Sequence, residues 1–262
     1  MTSVRQPAVA GTFYPADARE LQETVKGYLR AASSTSDDAP KAIVAPHAGY
    51  IYSGPVAASA YRSLAPLSDI VTRVVLLGPS HRIAFRGLAF TAAEGFRTPL
   101  GAVPVDRDAL GLISDLAQVR QYEAPFAGEH CLEVQLPFLQ SVLSDFSIVP
   151  LLVGDATTDE VAEVIERLWG GEETLIVVSS DLSHYLDYDS ARAIDAETSR
   201  AIESLRPDAI SHHQACGRNP LNGLLREAKR HGLHARTLDL RNSGDPAGPR
   251  NQVVGYGAYA FC

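Results

Sequence analysis

Short apolar runs alternate with amphipathic stretches along most of the chain. An apolar run of four to eight residues that ends at Pro, Gly or Ser is typical of a strand buried inside a sheet. The pattern predicts strands at Ala42–Ala45, residues 73–77, 87–92 and 102–105, Ser147–Val153, Thr174–Ser179, residues 235–240 and Val253–Phe261. Amphipathic periodicity predicts helices at residues 17–31, 54–64, 106–116, 129–143, 158–169, 187–205 and 219–231.

This alternation predicts the fold class. Asp17 can cap the first helix, and Pro220 and Gly232 stand where the ends of the last helix prefer them. No linker rich in Gly, Ser and Pro divides the chain. We therefore expect one α/β domain over residues 1–262, with a mostly parallel central sheet and helices on both of its faces.

Two other segments are predicted to be neither helix nor strand. Residues 4–15 contain too much Pro and Gly for a helix and are predicted to form an ordered arm, with Phe13 and Tyr14 packed against the body. Residues 32–40 are predicted to be a polar surface loop.

Charge and composition argue against several classes of protein, including those that bind nucleic acid or membranes. The formal net charge is -8, so the chain has no basic surface for nucleic acid or for an anionic membrane. No apolar run approaches the ~20 residues that span a bilayer, and the first residues lack the apolar core of a signal peptide. We expect a cytoplasmic protein. The three cysteines have no CxxC spacing, which indicates neither a disulfide framework nor a structural zinc site.

Three of the predicted buried strands end in a histidine-bearing loop. His47 follows the strand at Ala42–Ala45, His81 follows residues 73–77, and His184 follows Thr174–Ser179. Ligand sites of open α/β sheets form at the carboxyl ends of strands. Two imidazoles and one carboxylate can hold a divalent metal and leave positions open, so His47 and His81 are candidate metal ligands. The alternative is that each histidine only bonds carbonyl groups at its own strand end.

Acidic residues near these loops are further candidates. Asp181 could orient an imidazole or add a ligand, and His184 could act as general acid or base; the alternative for Asp181 is a helix cap. Glu129 and His130 open a predicted helix in which Glu133 lies one turn on, and this group could complete a site. Carboxylates in a first helical turn are also ordinary partners of the helix dipole.

A turn near the carboxyl terminus offers another carboxylate. Asp245 closes the Arg-Asn-Ser-Gly-Asp segment that follows a strand, and it is a candidate third metal ligand. A plain turn explains the same residues equally well. The remaining histidines lie on polar sequence and are expected to be solvated: His212, His213, His231 and His234.

Taken together, these motifs resemble the Memo family. The matching residues are Ala-Pro-His-Ala-Gly-Tyr at 45–50, Gly-Pro-Ser-His at 78–81, Glu-His at 129–130, Val-Ser-Ser-Asp at 178–181 with His184, and Cys-Gly at 216–217 with Pro220. Prokaryotic members are called AmmeMemoRadiSam system protein B. The family is similar in fold to class III extradiol dioxygenases of the LigB type, which hold non-haem Fe(II) with two histidines and one carboxylate.

The resemblance implies roles for individual residues. His47 and His81 would be metal ligands, and His184 would match the acid-base histidine of the dioxygenases. Animal members are expected to supply a cysteine ligand shortly before the last strand, where residues 242–246 of this chain contain none. Asp245 falls at or beside that position, which favours Fe(II) or Mn(II); Zn(II) and copper are the other candidate metals.

The implied function is a non-haem metal redox enzyme with an unknown small-molecule substrate. Tyr50, Cys216 and Arg218 are the residues expected to contact the substrate, with Cys216 lining the cleft and the helix after it offering free N–H groups to an anion. The alternatives are an adaptor that binds a peptide in the same cleft and a metal-handling protein. The family name implies a radical-SAM protein and an AMMECR-type protein as partners.

Overall fold

The structure, a computed structural model, describes residues 3–33, 39–246 and 248–262. Its strands are β1 (Val4–Arg5), β2 (Ala42–Ala45), β3 (Arg73–Pro79), β4 (Leu88–Phe90), β5 (Gly95–Thr98), β6 (Gly101–Pro104), β7 (Val119–Gln121), β8 (Ser147–Val153), β9 (Thr174–Ser179), β10 (His184–Leu186), β11 (Ala235–Asn242) and β12 (Val253–Phe261). Its α-helices are α1 (Ala18–Ala31), α2 (Tyr50–Arg62), α3 (Arg107–Gly111), α4 (Leu136–Val142), α5 (Thr158–Arg167), α6 (Tyr188–Glu203) and α7 (Arg218–Arg230).

A large mixed sheet forms the centre of the molecule. Its strands run in the order β10-β12-β2-β9-β3-β8-β4-β7, and β11 pairs with β12. The four central strands, β2, β9, β3 and β8, are parallel to one another, whereas β12 is antiparallel to β2 and β4 is antiparallel to β8. The α/β class is therefore confirmed. The parallel arrangement predicted for most of the sheet holds for its four central strands and for the β4–β7 pair, whereas the pairs made by β12 and the β4–β8 pair are antiparallel.

The central strands are apolar because they are covered on both sides. Every residue of β2 and of β9 is buried, as a strand with two covered faces requires. Helices α1, α2 and α4 pack together, and α5 packs against α7. A smaller sheet of β1, β5 and β6 holds the amino-terminal arm. This arrangement is consistent with the LigB-like fold that the resemblance implies.

Several predicted boundaries differ from the observed ones. The strands at 42–45, 147–153, 174–179 and 253–261 are confirmed residue for residue. Helix α2 begins at Tyr50 rather than at residue 54, and the short strands β5 and β7 were not predicted. The helix predicted over 129–143 begins only at Leu136, after a 3-10 turn over Glu133–Gln135. Part of the loop predicted at 32–40 lies outside the described residues.

The side chain of Glu133, in the 3-10 turn before α4, binds the amino-terminal arm. Its carboxylate accepts hydrogen bonds from the backbone N–H of Ala8 at 2.7 Å, the N–H of Val9 at 3.0 Å and the Tyr14 hydroxyl at 2.7 Å. Tyr14 is buried and Phe13 packs against the core, as predicted. The Glu133 carboxylate is therefore used by the arm, and no candidate metal-binding group among the described residues includes it.

No helix among the described residues combines the length and apolar character needed to cross a membrane.

We predict that Glu133→Ala destabilises the fold by about 3 kcal/mol, because it leaves three donors without an acceptor, two of them buried. Chemical denaturation measures the loss, and hydrogen exchange at the amides of Ala8 and Val9 should accelerate in the same variant. The control is Glu23→Ala, which removes only an exposed pair with Arg19 and should cost less than about 1 kcal/mol. Unchanged exchange at the two amides would show that the arm is held by other contacts.

Candidate metal centre

Three neighbouring strands bring their carboxyl ends to one place. β9 lies between β2 and β3 and is parallel to both, so the loops after these strands are adjacent. His47 follows β2 and His81 follows β3, and their ring centroids are 5.1 Å apart. His130 reaches the same point from the loop before α4, with its ring 5.5 Å from that of His47 and 4.9 Å from that of His81. One ligand atom from each of the three rings can be chosen so that all lie within 4.8 Å of one another.

Buried hydrogen bonds fix the tautomer of His47. Its Nδ1 lies 2.8 Å from the Ser179 hydroxyl, whose own hydrogen is donated to the Cys131 carbonyl at 2.7 Å. The hydroxyl also accepts a bond from the Gln135 amide at 2.8 Å. Since Ser179 has only one hydrogen to give, His47 must donate from Nδ1, and the lone pair of its neutral ring lies on Nε2. That is the form in which an imidazole binds a metal.

Glu129 orients His81 in the same way. Its carboxylate accepts from the backbone N–H of His81 at 2.7 Å and faces His81 Nδ1 at 2.9 Å. It also accepts from the backbone N–H groups of His130 and Cys131. Burial opposes ionisation of this carboxyl, but the bonds from His81 outweigh it and lower the pKa of Glu129 to about 2. A carboxylate behind a histidine is a common support for a metal-binding imidazole.

Burial favours the uncharged form of two of the three rings, His47 and His130. Burial, followed by the neighbouring His81 and His130 rings, lowers the pKa of His47 well below its usual value. Burial also lowers the pKa of His130, although Glu129 acts in the opposite direction. His130 packs against Phe13 of the arm, with ring centroids 4.7 Å apart. These imidazoles are therefore ready to act as neutral ligands.

Cys216 lies directly beside the free nitrogen of His47. Its Sγ is 3.3 Å from His47 Nε2, and the tautomer of His47 requires the thiol to be the donor. Gly217 makes this approach possible, because a Cβ there would lie 2.7 Å from the Ser180 Cβ and 2.8 Å from the Ser179 carbonyl oxygen. Burial raises the pKa of the Cys216 thiol to about 12, with Asp181 adding to the effect. The thiol is thus a second kind of donor next to the three imidazoles.

The sequence of this protein is similar to those of known proteins over nearly its whole length. A family model described as Memo-like protein matches residues 5–260. A MEMO1 family protein of Aeropyrum pernix is 38% identical and the match covers 97% of this chain and 98% of the relative. MEMO1 family proteins of Aquifex aeolicus and Methanopyrus kandleri are 37% and 35% identical, over 97% and 98% of this chain and the same shares of the relatives.

The chain belongs to the Memo family. The resemblance predicted from its motifs is thereby confirmed, and the match extends over nearly the whole chain. The family name by itself states neither a reaction nor a substrate. Any function must therefore be argued from the centre that the structure describes.

Asp181 supports this centre of the Memo-family protein through the backbone. Its Oδ1 accepts the N–H of His47 at 2.7 Å, whereas its Oδ2 is 3.9 Å from His47 Nε2. Burial raises the pKa of its carboxyl, and the bond from His47 opposes the rise. Asp181 caps no helix, since α6 begins later with Asp187 as its cap. It anchors the loop that carries His47.

His184 stands at the edge of the group with one ring nitrogen available. Its Nδ1 donates to the Leu182 carbonyl at 2.8 Å, which leaves Nε2 as the basic atom of the neutral ring. His184 is near enough to His47 to contribute to lowering the pKa of that histidine. The next residue, Tyr185, has φ 60 and is 71% exposed. A non-glycine residue in this conformation is uncommon and is often found at functional sites.

A cleft of about 390 Å³ opens beside the centre. Ser80, Asp155, Cys216, Arg218 and Asn219 contribute to its wall. Arg218 Nε is buried and has no hydrogen-bond partner among the described residues. The predicted position of Cys216 and Arg218, in a loop that leads into a helix beside the site, therefore agrees with the structure.

Two predicted site residues are not brought to the centre. Asp245 is exposed, and its carboxylate accepts from the Tyr188 hydroxyl at 2.6 Å and from the N–H of Asn242 at 2.8 Å. Within the described part of the chain, no metal-binding group includes it. Its short side chain closes its own turn, which was the alternative interpretation. Tyr50 is buried, and its hydroxyl donates to the Val134 carbonyl at 2.6 Å, so it belongs to the core.

Sequence reasoning missed the residues that orient the histidines. Ser179 and Gln135 are buried and fix His47, yet neither residue type signals such a role by itself. The position of Ser179, directly before the Ser-Asp pair at the end of β9, was the available signal. Cys216 was expected in the cleft wall, but its contact with His47 depends on a distant loop and has no local signature.

A buried carboxyl beneath the His184 loop gives a pH-dependent prediction. Asp195 accepts the N–H of Ser183 at 3.0 Å and packs against Gly255, where a Cβ would lie 2.0 Å from its Oδ2. Burial raises the pKa of Asp195 from 3.8 to about 6. The protonated form is therefore favoured in the folded state. Protonated Asp195 makes its full contribution to the free energy of unfolding below about pH 4. This contribution is lost as the pH rises through 6, and the loss is roughly 3 kcal/mol.

We predict that Asp195→Asn is more stable than the wild type at pH 8 by about 2–3 kcal/mol and no more stable at pH 4, because the amide still accepts from Ser183 and never ionises. Urea denaturation between pH 4 and pH 8 measures the difference. The control is Asp145→Asn in an exposed loop, which should show no such crossover. A loss of stability in Asp195→Asn at pH 8 would mean that the ionised carboxylate is favoured in the folded protein.

Proposed function

We propose that this protein binds one first-row transition metal at His47, His81 and His130 and uses it in a redox reaction on a small molecule held in the adjacent cleft. The observation that carries the proposal is the orientation of the rings. His47 donates from Nδ1 to Ser179, and His81 Nδ1 faces the Glu129 carboxylate, so the Nε2 atoms are the ones left for a ligand. An imidazole whose Nδ1 is held by a hydroxyl or a carboxylate and whose Nε2 points to its neighbours has the arrangement common to metal-binding histidines.

The donor set suits a metal of borderline character. Imidazole binds iron, zinc, copper and nickel well, and a thiol adds affinity for softer ions. Fe(II) is our first choice because of the likeness to the extradiol dioxygenases. The sequence favours Fe(II) over copper through the carboxylate of Asp245, but this carboxylate is bonded to Tyr188 and Asn242, so the preference for iron rests on the likeness alone. When bound by the three histidines, such a metal would supply redox and Lewis-acid chemistry beside the cleft.

The chain's own residues would divide the remaining work. His184 would take or return a proton at Nε2, since its Nδ1 is held by the Leu182 carbonyl. Arg218 would bind an anionic group of the substrate, because its buried Nε has no partner among the described residues. The substrate that fits is a small oxidisable molecule with a carboxylate or similar group.

The metal ligands are tested by substitution. His130→Ala should lower the bound metal at least 10-fold, because it removes one of three imidazoles, whereas Asp245→Ala should leave it unchanged. Metal content is measured by plasma mass spectrometry of untagged protein after dialysis against each candidate metal. His234→Ala, at an exposed histidine, is the control. Full retention of metal in His47→Ala and His81→Ala would contradict the proposed centre.

Proton release decides whether Cys216 also binds the metal. At pH 8 neutral imidazoles bind without losing a proton, but a thiol with a pKa of about 12 must release about one proton for each metal. Calorimetric titration with Zn²⁺ in buffers of different ionisation enthalpy measures this number. A release that disappears in Cys216→Ser assigns the thiolate as a ligand. No release in the wild type leaves the three imidazoles as the protein ligands.

We predict that His184→Gln keeps its metal but loses at least 100-fold in turnover, because the proton-transferring nitrogen is gone. Oxygen uptake by the Fe(II)-loaded protein with carboxylated catechols is the assay, and Arg218→Gln should raise the KM of the same substrates at least 10-fold. Equal KM changes for substrates with and without the carboxylate would contradict the role of Arg218. No oxygen uptake by the wild type with any such diol would count against a dioxygenase-like reaction.

A peptide-binding adaptor is the second candidate function. Large apolar side chains are exposed beside the site: Ile51 is 71%, Tyr52 43% and Tyr185 71% exposed. Ile51 and Tyr52 lie in the first turn of α2 after His47, and Tyr185 follows His184. The radical-SAM and AMMECR-type partners implied by the family would find an apolar contact there. Native mass spectrometry of the protein mixed with each purified partner measures complex formation. A complex that forms with the wild type and is lost in Tyr185→Ser would support the adaptor function over small-molecule turnover.

A further inference from the structure

A second group of ligand atoms lies between α5 and α7, apart from the histidine centre. Glu166 is in the last turn of α5, and Glu227 and His231 lie four residues apart at the end of α7. Glu166 Oε2 is 2.7 Å from His231 Nε2. One ligand atom from each of the three residues can be chosen so that all lie within 4.8 Å of one another.

Glu227 is an unusual member of this group because it is fully buried. Its exposed fraction is 0%. Its Oε1 accepts from Arg230 at 2.7 Å, but its Oε2 has no hydrogen-bond partner among the described residues. A buried carboxylate oxygen without a partner is costly, and Glu166 brings a second negative charge close to it. Burial, together with Glu166, raises the pKa of Glu227, while Arg230 opposes the rise. The pair of carboxylates needs either a cation or a shared proton.

We propose that Glu166, Glu227 and His231 form a second divalent-metal site with a preference for Zn²⁺. Carboxylate oxygens and imidazole nitrogens are both ordinary zinc ligands, and the half-exposed positions of Glu166 and His231 leave room for water in the remaining positions. Arg230 already neutralises one carboxylate oxygen, and the local charge of the group remains negative. The ion would join α5 to α7 and stabilise their packing.

The protein contains its own reporter for this site. The chain has one tryptophan, and Trp169 stacks on His231 with ring centroids 3.9 Å apart and an interplanar angle of 8°. The histidine centre lies at the other end of α7, whose 13 residues extend for about 20 Å. A paramagnetic ion bound by His231 should therefore quench the tryptophan fluorescence, and an ion at the histidine centre should have little effect on it.

The test is a Cu²⁺ titration of the fluorescence of the full chain carrying His47→Gln and His81→Gln, repeated in the wild type. We expect saturable quenching with one ion per chain, reversed by excess Zn²⁺. Glu227→Gln should weaken the Cu²⁺ affinity at least 10-fold. Glu163→Gln, at an exposed residue on the same helix as Glu166, is the matched control and should leave the curve unchanged.

A second measurement guards against variants that fold poorly. Zn²⁺ should raise the Tm of the His47→Gln, His81→Gln chain, and the rise should be lost in the further variant Glu166→Gln, whose side chain is half exposed and tolerates the change. Quenching that is not saturable, or that neither Glu166→Gln nor Glu227→Gln weakens relative to the His47→Gln, His81→Gln chain, would overturn the site. In that case the two carboxyl groups share a proton and no metal binds. Because the background variant lacks the histidine centre, this result is independent of the proposed function.

Discussion

The parallel pairing of β2, β9 and β3 is the constraint on which the centre depends. Neighbouring strands lie about 4.8 Å apart, so β2 and β3, which flank β9, are separated by about 10 Å. His47 and His81, carried by the loops after these two strands, extend toward each other until their rings are 5.1 Å apart. Asp181 follows the strand between them and holds the backbone of His47. The sheet therefore sets the positions of the loops before any side chain is chosen. The donors of the site are then determined by which residues follow the strands.

Hydrogen bonds to the Nδ1 side of the histidines determine which nitrogen of each ring is available to a ligand. Ser179 accepts from His47 because its own hydrogen is used by the Cys131 carbonyl, and Gln135 completes its bonds from the other side. Gln135 is in turn bonded by the buried Tyr61 hydroxyl. In this series of hydrogen bonds, the donors and acceptors already in use leave each group only one way to bond its next neighbour. A buried network of this kind fixes one tautomer of His47 and leaves its Nε2 as the available nitrogen, while burial lowers the pKa of the ring.

The sequence was informative wherever a local rule decided the outcome. The apolar strands and the histidines at their ends follow from periodicity and from the geometry of parallel sheets, so His47, His81 and the central strands could be predicted. Asp245 could not be judged in this way, because a carboxylate in a turn serves equally well as a ligand or as the turn's own acceptor. The structure has it bonded to Asn242 and Tyr188. Only the course of the whole chain decides between these uses.

Close packing around α7 explains why Cys216 reaches His47 although it is 169 residues away in the sequence. Gly217 at the start of the helix lies against β9, and a Cβ at Gly223 would lie 2.4 Å from Val161 of α5. Side chains at these two glycines would push the helix away from the sheet and from α5. Because glycine has no side chain at either position, the amino end of α7 lies at the histidine centre and its carboxyl end lies at Glu166. The same two contacts thus position both groups of candidate ligands, and a change in the packing of α7 would move a donor at each end.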